Sequence, residues 1–176
     1  MALIVETGLV VNGANAYISV AELDAYWADR NVTFTETTPV KDAAIIIATQ
    51  YVDLNFNWRG DIISEEQWLD FPRSGVYDDQ NRSISNETIP RNLKYAVCEY
   101  AKRQLAAELQ PDVYPDDLGT IASRSQTVFG AVAEAITYRD GTGGYYGIKR
   151  YPLADNYLKG LTMGGVGGSF STVRRC

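Results

Sequence analysis

Residues 89–109, IPRNLKYAVCEYAKRQLAAEL, are the stretch that decides the fold. Apolar side chains recur there at steps of three and four, which places them on one face of a helix. An amphipathic helix is not stable alone in water, so other elements must cover this face. We therefore predict a central helix with its charged residues on the solvent side and four core residues, Leu93, Val97, Tyr100 and Leu105. The charged residues are Lys94, Glu99, Lys102, Arg103 and Glu108.

Three further helices are predicted around this one. Ser19 followed by Glu22 is the pattern of a capping box and predicts a helix over residues 20–29. Its Tyr26 and Trp27 could form a stacking platform for bases, but core packing is the interpretation we favour. A second helix follows Pro39, and a short one is predicted over residues 152–161. The apolar stripe expected on the second helix is Ala44, Ile47, Ala48, Tyr51 and Val52.

The remaining segments predict a small β component. Residues 121–138 are rich in β-formers and alternate weakly, which indicates one or two strands bent near Gly130. Residues 1–12 are apolar and β-branched, and could form a short strand or an arm lying on a neighbouring molecule. The expected fold is mainly α: a helical bundle with a small β-hairpin or strand pair and an extended C-terminal tail.

A long loop, residues 61–87, connects the second helix to the central one. A loop of this length in a compact domain has either a function or packing of its own. Trp68, Phe71 and Arg73 could form an interface with a partner. The aromatic side chains could equally anchor the loop onto the helices, and this is the interpretation we favour.

Composition argues against several functions. The chain has 176 residues, a net charge of −6 and no histidine, which removes the commonest general base and the usual zinc chemistry. The net charge also disfavours a simple nucleic-acid binder. Cys98 and Cys176 are too few for a disulfide framework, and Cys98 is expected to be a buried free thiol. We expect no enzyme, metal, cofactor or membrane span, and a reduced, soluble, cytoplasmic protein.

The C-terminal residues differ in character from the rest. We divide the chain into a helical domain with an N-terminal arm, residues 1–161, and a tail, residues 162–176. Three basic residues and no acid follow Asp155, so the part before them carries −9 against the total of −6. A frayed terminus is one interpretation. We favour docking on a partner, because the tail carries spaced apolar residues and two arginines: Met163, Val166, Phe170, Val173, Arg174 and Arg175.

Several segments are similar to those of a known family. They are ANAYISVAELDAYW (14–27), ATQYVDLNFNWRG (48–60), QWLDFPRSGVYD (67–78), IPRNLKYAVCEYA (89–101) and, more weakly, VFGAVAEAITY (128–138). In this order they resemble the head-tail connector (adaptor, head-completion) proteins of tailed bacteriophages, including the group labelled DnaT-like single-stranded-DNA-binding. Phe71 departs from the pattern, since the family more often has Trp there.

The resemblance implies a structural adaptor of the virion neck, made in the host cytoplasm. It would form a homo-oligomeric ring, typically of twelve copies, beneath the portal protein. The tail residues named above would bind the portal, the other face would receive a stopper, neck or tail protein, and genomic DNA would pass through without specific binding. The alternative function is a single-stranded-DNA-binding module. Its only plausible local basic cluster in the sequence is Arg73, Arg82, Arg91 and Lys94.

Overall fold

The computed structural model describes residues 2–78, 80–111, 121–128, 132–138 and 151–163. The elements, in chain order, are α1 (Val20–Ala28), α2 (Thr38–Asn55), β1 (Asp61–Ile62), β2 (Arg73–Ser74), α3 (Arg91–Ala106), β3 (Ile121–Val128), β4 (Val132–Tyr138) and α4 (Pro152–Leu158). The predicted class, mainly α with a small hairpin, is confirmed. The chain divides into two compact units, Met1–Leu109 with Arg150–Cys176, and Gln110–Lys149.

Helix α3 is the centre of the larger unit, where α1, α2 and α4 all pack against it. Leu93, Val97 and Tyr100 are fully buried, as predicted. Leu105 was expected in the core as well, but it is only half-buried. It lies in the last turn of α3 and outside the hydrophobic core cluster, whereas Leu109, just beyond the helix, belongs to that cluster.

The prediction that Glu99 faces solvent is wrong, because its side chain is buried among three helices. Glu99 is 2% exposed. Its carboxylate accepts hydrogen bonds from Arg103 Nη1 at 2.7 Å and from the Tyr26 hydroxyl at 2.9 Å. A buried carboxylate is tolerated only with such partners. The cause is that α3 is covered on more than one side, which a single apolar stripe does not reveal.

Helix α1 forms as the capping box predicts. The Ser19 side chain accepts from the Glu22 N–H at 3.2 Å, and the Glu22 carboxylate accepts from the Ser19 N–H at 2.8 Å. Tyr26 and Trp27 are buried, and Trp27 Nε1 donates to the carbonyl of Cys98 at 3.1 Å. Both rings are therefore packed in the core, which is the interpretation favoured from the sequence. Cys98 is a buried free thiol, as predicted.

Helix α2 differs from its prediction at one position. Ala44, Ala48, Tyr51 and Val52 are buried as expected. Ile47 is 40% exposed, and Ile45 occupies the core instead. Three consecutive isoleucines at 45–47 leave the sequence ambiguous, because nearly any orientation of this turn buries at least one of them.

The N-terminal segment folds onto its own chain. Val5 pairs with Ala16 in a parallel bridge. The buried Glu6 carboxylate accepts the N–H groups of Gly8 and Val11, both at 2.8 Å. Gly8 has φ +109°, and a Cβ there would lie 2.2 Å from the Glu87 carbonyl oxygen, so only glycine fits. The described residues therefore give this segment an isolated bridge to its own chain in place of the short strand, and the arm on a neighbouring molecule stays a prediction.

The long loop is anchored by Phe71 and by a short antiparallel pairing of β1 with β2. Phe71 is fully buried and meets the Trp58 ring edge-to-face, with centroids 5.0 Å apart. Its N–H donates to the Tyr17 hydroxyl at 3.0 Å, and that hydroxyl donates to Asp53 Oδ1 at 2.7 Å. The loop is thus part of the core, in agreement with the interpretation favoured from sequence.

The smaller unit contains the antiparallel hairpin of β3 and β4, with Gln126 opposite Glu134 and Val128 opposite Val132. In the larger unit, α4 is followed by two residues that bind the body. Thr162 pairs with Trp58, and the Met163 N–H donates to the Asn57 carbonyl at 2.8 Å. The first two residues of the predicted tail therefore belong to the folded domain.

Candidate nucleic-acid interface

Positive charge is concentrated on α3, although the chain is acidic overall. The helix carries Arg91, Lys94, Lys102 and Arg103 against a single acid, Glu99. Two of these cations are neutralised locally: Lys94 binds Glu22 at 2.8 Å, and Arg103 binds Glu99 at 2.7 Å. Arg91 and Lys102 form no ion pair with a described residue.

These two cations share one face of α3 with an aromatic ring. Positions 91, 95 and 102 are separated by four and seven residues, which places them in one row along the helix. Arg91 and Lys102 are therefore ~16 Å apart along the axis. The Arg91 guanidinium lies 5.9 Å from the Tyr95 ring centroid, and Lys102 Nζ lies 3.9 Å from the Trp27 ring centroid.

A third cation, Arg30, lies in the segment after α1 and over the ring of Tyr26, which contacts Tyr95. Its guanidinium lies 3.5 Å from the Tyr26 ring centroid, and its Nη1 donates to the Tyr26 carbonyl at 2.7 Å. Arg30 is exposed and forms no ion pair with a described residue. We call Arg30, Arg91, Lys102 and the half-buried rings of Tyr95 and Tyr157 the cation–aromatic surface.

The rings of this surface are contiguous. The Tyr26 and Tyr95 centroids are 5.0 Å apart, and those of Tyr95 and Tyr157 are 5.7 Å apart. Burial, together with hydrogen bonds to Tyr157 and Glu99, raises the pKa of Tyr26 well above its usual value. The phenol therefore stays neutral at physiological pH, and no anion forms beneath the Arg30 guanidinium. Cations beside neutral rings can hold phosphates and stack on bases.

An open cleft adjoins this surface at the N-terminal end of α3. It has a volume of about 310 Å³ and is lined by Arg91, Arg82, Asp78 and the apolar side chains of Ile84, Ile89 and Leu161. Arg82 Nε donates to Asp78 Oδ2 at 2.7 Å, so its charge is neutralised within its own turn. Arg91 is the cation that the cleft shares with the cation–aromatic surface.

The predicted interface loop is mostly structural. Trp68 is 63% exposed, and its Nε1 donates to Asn12 Oδ1 at 3.1 Å. Phe71 is buried and has no surface to offer a partner. Arg73 donates to the carbonyls of Arg59 and Gly60, at 3.1 and 2.7 Å, and so holds the loop together. Of the three residues, Trp68 alone presents its side chain to solvent.

The predicted tail site falls mainly outside the described residues. Met163 is exposed. Val166, Phe170, Val173, Arg174 and Arg175 lie beyond the described part of the chain, so their role stays a prediction.

The basic cluster expected from sequence is not assembled as such. Arg73, Arg82 and Lys94 are each occupied by local partners, which leaves Arg91. Sequence analysis missed Arg30 and Lys102. The spacing of positions 91, 95 and 102 could have revealed Lys102, but nothing in the sequence brings Arg30 to the same surface.

Two other kinds of site are absent from the described ranges. Those residues contain no group of three or more His, Cys, Asp or Glu side chains that could hold a metal ion. None of the helices described is long and apolar enough to cross a membrane.

A helical bundle whose central helix presents Arg91, Lys102 and the half-buried Tyr95 is a candidate for the nucleic-acid-binding class. Comparison with protein families identifies the group: the chain belongs to the family described as "Putative DnaT-like ssDNA binding protein", whose model matches residues 1–176. No curated protein and no solved structure matches the chain.

Proposed function

We propose that this protein binds single-stranded DNA through the cation–aromatic surface. The observation that carries the proposal is that three cations, Arg30, Arg91 and Lys102, each lie against an aromatic ring and form no ion pair with a described residue. Single-stranded nucleic acid is bound in this manner, with cations along the backbone and rings against bases. Membership of the family supports the same function.

The charges set the expected strength of binding. Three phosphate contacts give a slope of about −2 in a plot of log affinity against log salt concentration for a single strand. The rest of the chain is acidic and repels the strand, so we expect weak binding that is detectable at low salt. The half-buried rings of Tyr95 and Tyr157 limit stacking to their exposed faces.

The test is fluorescence anisotropy of a labelled oligothymidine, titrated with protein at several salt concentrations. We expect the triple variant Arg30→Ala, Arg91→Ala, Lys102→Ala to lose the salt-dependent binding. The matched control is the charge-preserving triple variant Arg30→Lys, Arg91→Lys, Lys102→Arg, which should retain the salt slope. Equal affinity of the alanine variant and the wild type would contradict the proposal, as would binding that does not respond to salt.

A second function is favoured by a different observation: the Met163 side chain is 53% exposed, although its backbone is bound to the body. An exposed apolar side chain held at the start of the predicted tail fits the tail-mediated docking of a structural adaptor of a tailed-phage virion. In this proposal the copies form a ring, of twelve, below the portal protein. The ring recruits a stopper, neck or tail protein, and DNA passes through it. In both proposals the protein binds partners and catalyses no reaction.

Native mass measurement, of the protein alone and mixed with a tailed-phage portal protein, tests the adaptor. A ring on the portal is the expected result, and a protein that ignores the portal would end the proposal. Deletion of residues 164–176 should abolish portal binding. The cut is placed after Met163 because Thr162 and Met163 bind the body through their backbones. Portal binding by the truncated protein would show that the tail is not the binding segment.

A further inference from the structure

The outer face of α2 has the spacing of a coiled-coil seam. The helix exposes Val40, Ala43, Ile47, Gln50 and Leu54, which follow one another at steps of three, four, three and four. This is the alternation of a and d positions in a heptad, which keeps a row of side chains facing a partner helix. We call these five residues the outer stripe. Leu54 is 84% exposed, the largest value among the exposed large apolar residues of the described chain.

The outer stripe carries no charge. Thr38 and Pro39 are the other exposed residues of α2, so every exposed position on this 18-residue helix is neutral. Exposed helix faces of soluble proteins normally carry charged and polar side chains. The core side of α2 is already covered by α1 and α3, so the outer stripe is a second apolar face.

We infer that two copies of this chain pair through their outer stripes, α2 against α2, about a two-fold axis. The heptad spacing calls for a helix as the partner. The absence of charge makes the stripe compatible with itself, since like charges do not meet when two copies pair. Elsewhere, two chains of net charge −6 repel each other, so a neutral face is where they can approach most closely.

Other occupants fit the stripe less well. Nucleic acid requires cations, and the stripe has none. Met163 binds Asn57 just beyond the end of α2, but the sequence that follows, residues 164–176, contains four glycines and is a poor match to a seam that accepts a helix. The pairing does not depend on DNA binding, because it uses a different helix from the cation–aromatic surface.

The interface extends beyond the stripe at one end of α2. The Asp70 N–H donates to Asp53 Oδ2 at 3.3 Å, which brings the loop carrying Trp68 to this end of the helix. Trp68 in turn binds Asn12 near the exposed Leu9. Stable dimers bury roughly 1,200–2,000 Å² in total. The interface we infer consists of five side chains of one helix and a few flanking residues, so we expect weak association with micromolar dissociation.

The experiment is sedimentation velocity of the full chain from about 1 to about 200 µM. The wild type should shift from monomer to dimer over this range. Ile47→Glu and Ile47→Lys should each stay monomeric, because Ile47 is the middle residue of the stripe and meets its own copy near the two-fold axis. A mixture of the two variants should form a dimer again, because the glutamate of one copy faces the lysine of the other. Thermal melting verifies that each variant is folded.

Two controls keep the test decisive. Leu153→Glu introduces the same charge at an apolar residue on α4 that is 53% exposed, and it should leave the dimer intact. Deletion of residues 164–176 should also leave it intact. Leu54→Glu, at the most exposed position, should dissociate the dimer without disturbing the core. The inference is overturned by a wild type that stays monomeric, by charge variants that still dimerise, by a mixture that does not recover, or by loss of the dimer on truncation.

Discussion

Helices α2 and α3 are neighbours in one core, yet their exposed faces have opposite chemistry. The exposed face of α3 carries Arg91 and Lys102 beside Tyr95, whereas the outer stripe of α2 is uncharged over its whole length. Both helices fold because they bury apolar side chains against each other. Their exposed faces contribute little to the stability of the fold. The difference in charge between these faces indicates that the face of α3 suits an anionic ligand and that the face of α2 suits a second protein surface.

The largest expected effect comes from a substitution in the core that α2 and α3 share. Val97 is fully buried on α3, and Val97→Asp would place an unpaired charge in the core. We expect a loss of ~4 kcal/mol or more in the free energy of unfolding. Urea denaturation followed by circular dichroism measures it, with Lys102→Ala as a surface control on the same helix. Unchanged melting of Val97→Asp would refute the central position of α3.

A smaller effect concerns Asp53 at the end of α2. Burial raises the pKa of this carboxyl from 3.8 to about 7, although the Tyr17 hydrogen bond opposes the shift. Between these two values the folded state binds more protons at Asp53 than the unfolded state, so the contribution of Asp53 to stability is greatest below about pH 4 and is lost as pH rises through 7. That contribution is on the order of a few kcal/mol, since one pKa unit corresponds to ~1.4 kcal/mol. Groups with lowered pKa, such as Glu22, act in the opposite direction.

The measurement therefore compares the pH dependence of the free energy of unfolding between the wild type and a variant. Asp53→Asn cannot titrate, so its free energy of unfolding should decline less than that of the wild type from pH 4 to pH 7. Denaturant titrations at several pH values give both curves. Parallel curves would show that Asp53 ionises in the folded protein as it does in water.

An exchange of charge tests the comparison of the two faces directly. Arg91→Glu should weaken oligonucleotide binding by roughly tenfold, about 1.4 kcal/mol, while leaving self-association unchanged. Ile47→Glu should do the reverse. Fluorescence anisotropy measures the oligonucleotide affinity of each variant, and sedimentation velocity measures its self-association. If either variant impairs both activities, the two faces are not independent.

The smallest expected effect is that the Cys98 thiol does not react with an alkylating reagent in the folded protein. Burial raises the pKa of the Cys98 thiol to about 12, so its thiolate is scarce at pH 8 and its sulfur is inaccessible. In a Cys176→Ser background, iodoacetamide should leave the folded protein unmodified at pH 8 and should alkylate Cys98 in urea. Mass spectrometry counts the adducts. Rapid alkylation without urea would mean that the α1–α3 contact opens readily.

Much of the fold could be predicted because its signals are local. The capping box of Ser19 and Glu22 fixes the start of α1 through contacts only three residues apart. Leu93, Val97 and Tyr100 reveal the core face of α3 by their spacing. The alternating pattern of residues 121–138 reveals the hairpin. Part of the candidate site was accessible in the same way, since Arg91, Tyr95 and Lys102 lie in one row on one helix.

Other features depended on segments far apart in the chain. Glu99 is buried because Tyr26, 73 residues away, donates to it from α1. Phe71 is in the core because the loop returns to Tyr17, 54 residues away. The predicted interface role of Phe71 assumed an exposed ring, and the expected basic cluster assumed free cations. Both assumptions concern neighbours that local spacing does not specify.

The sequence by itself determined which segments are helical and which side of α3 is apolar, since both follow from interactions within a few turns. Only the tertiary structure decided that Ile45 rather than Ile47 enters the core, that Arg30 joins Arg91 and Lys102, and that the outer stripe of α2 stays uncovered. The reason is physical: the exposure of a side chain depends on which distant segments pack over it.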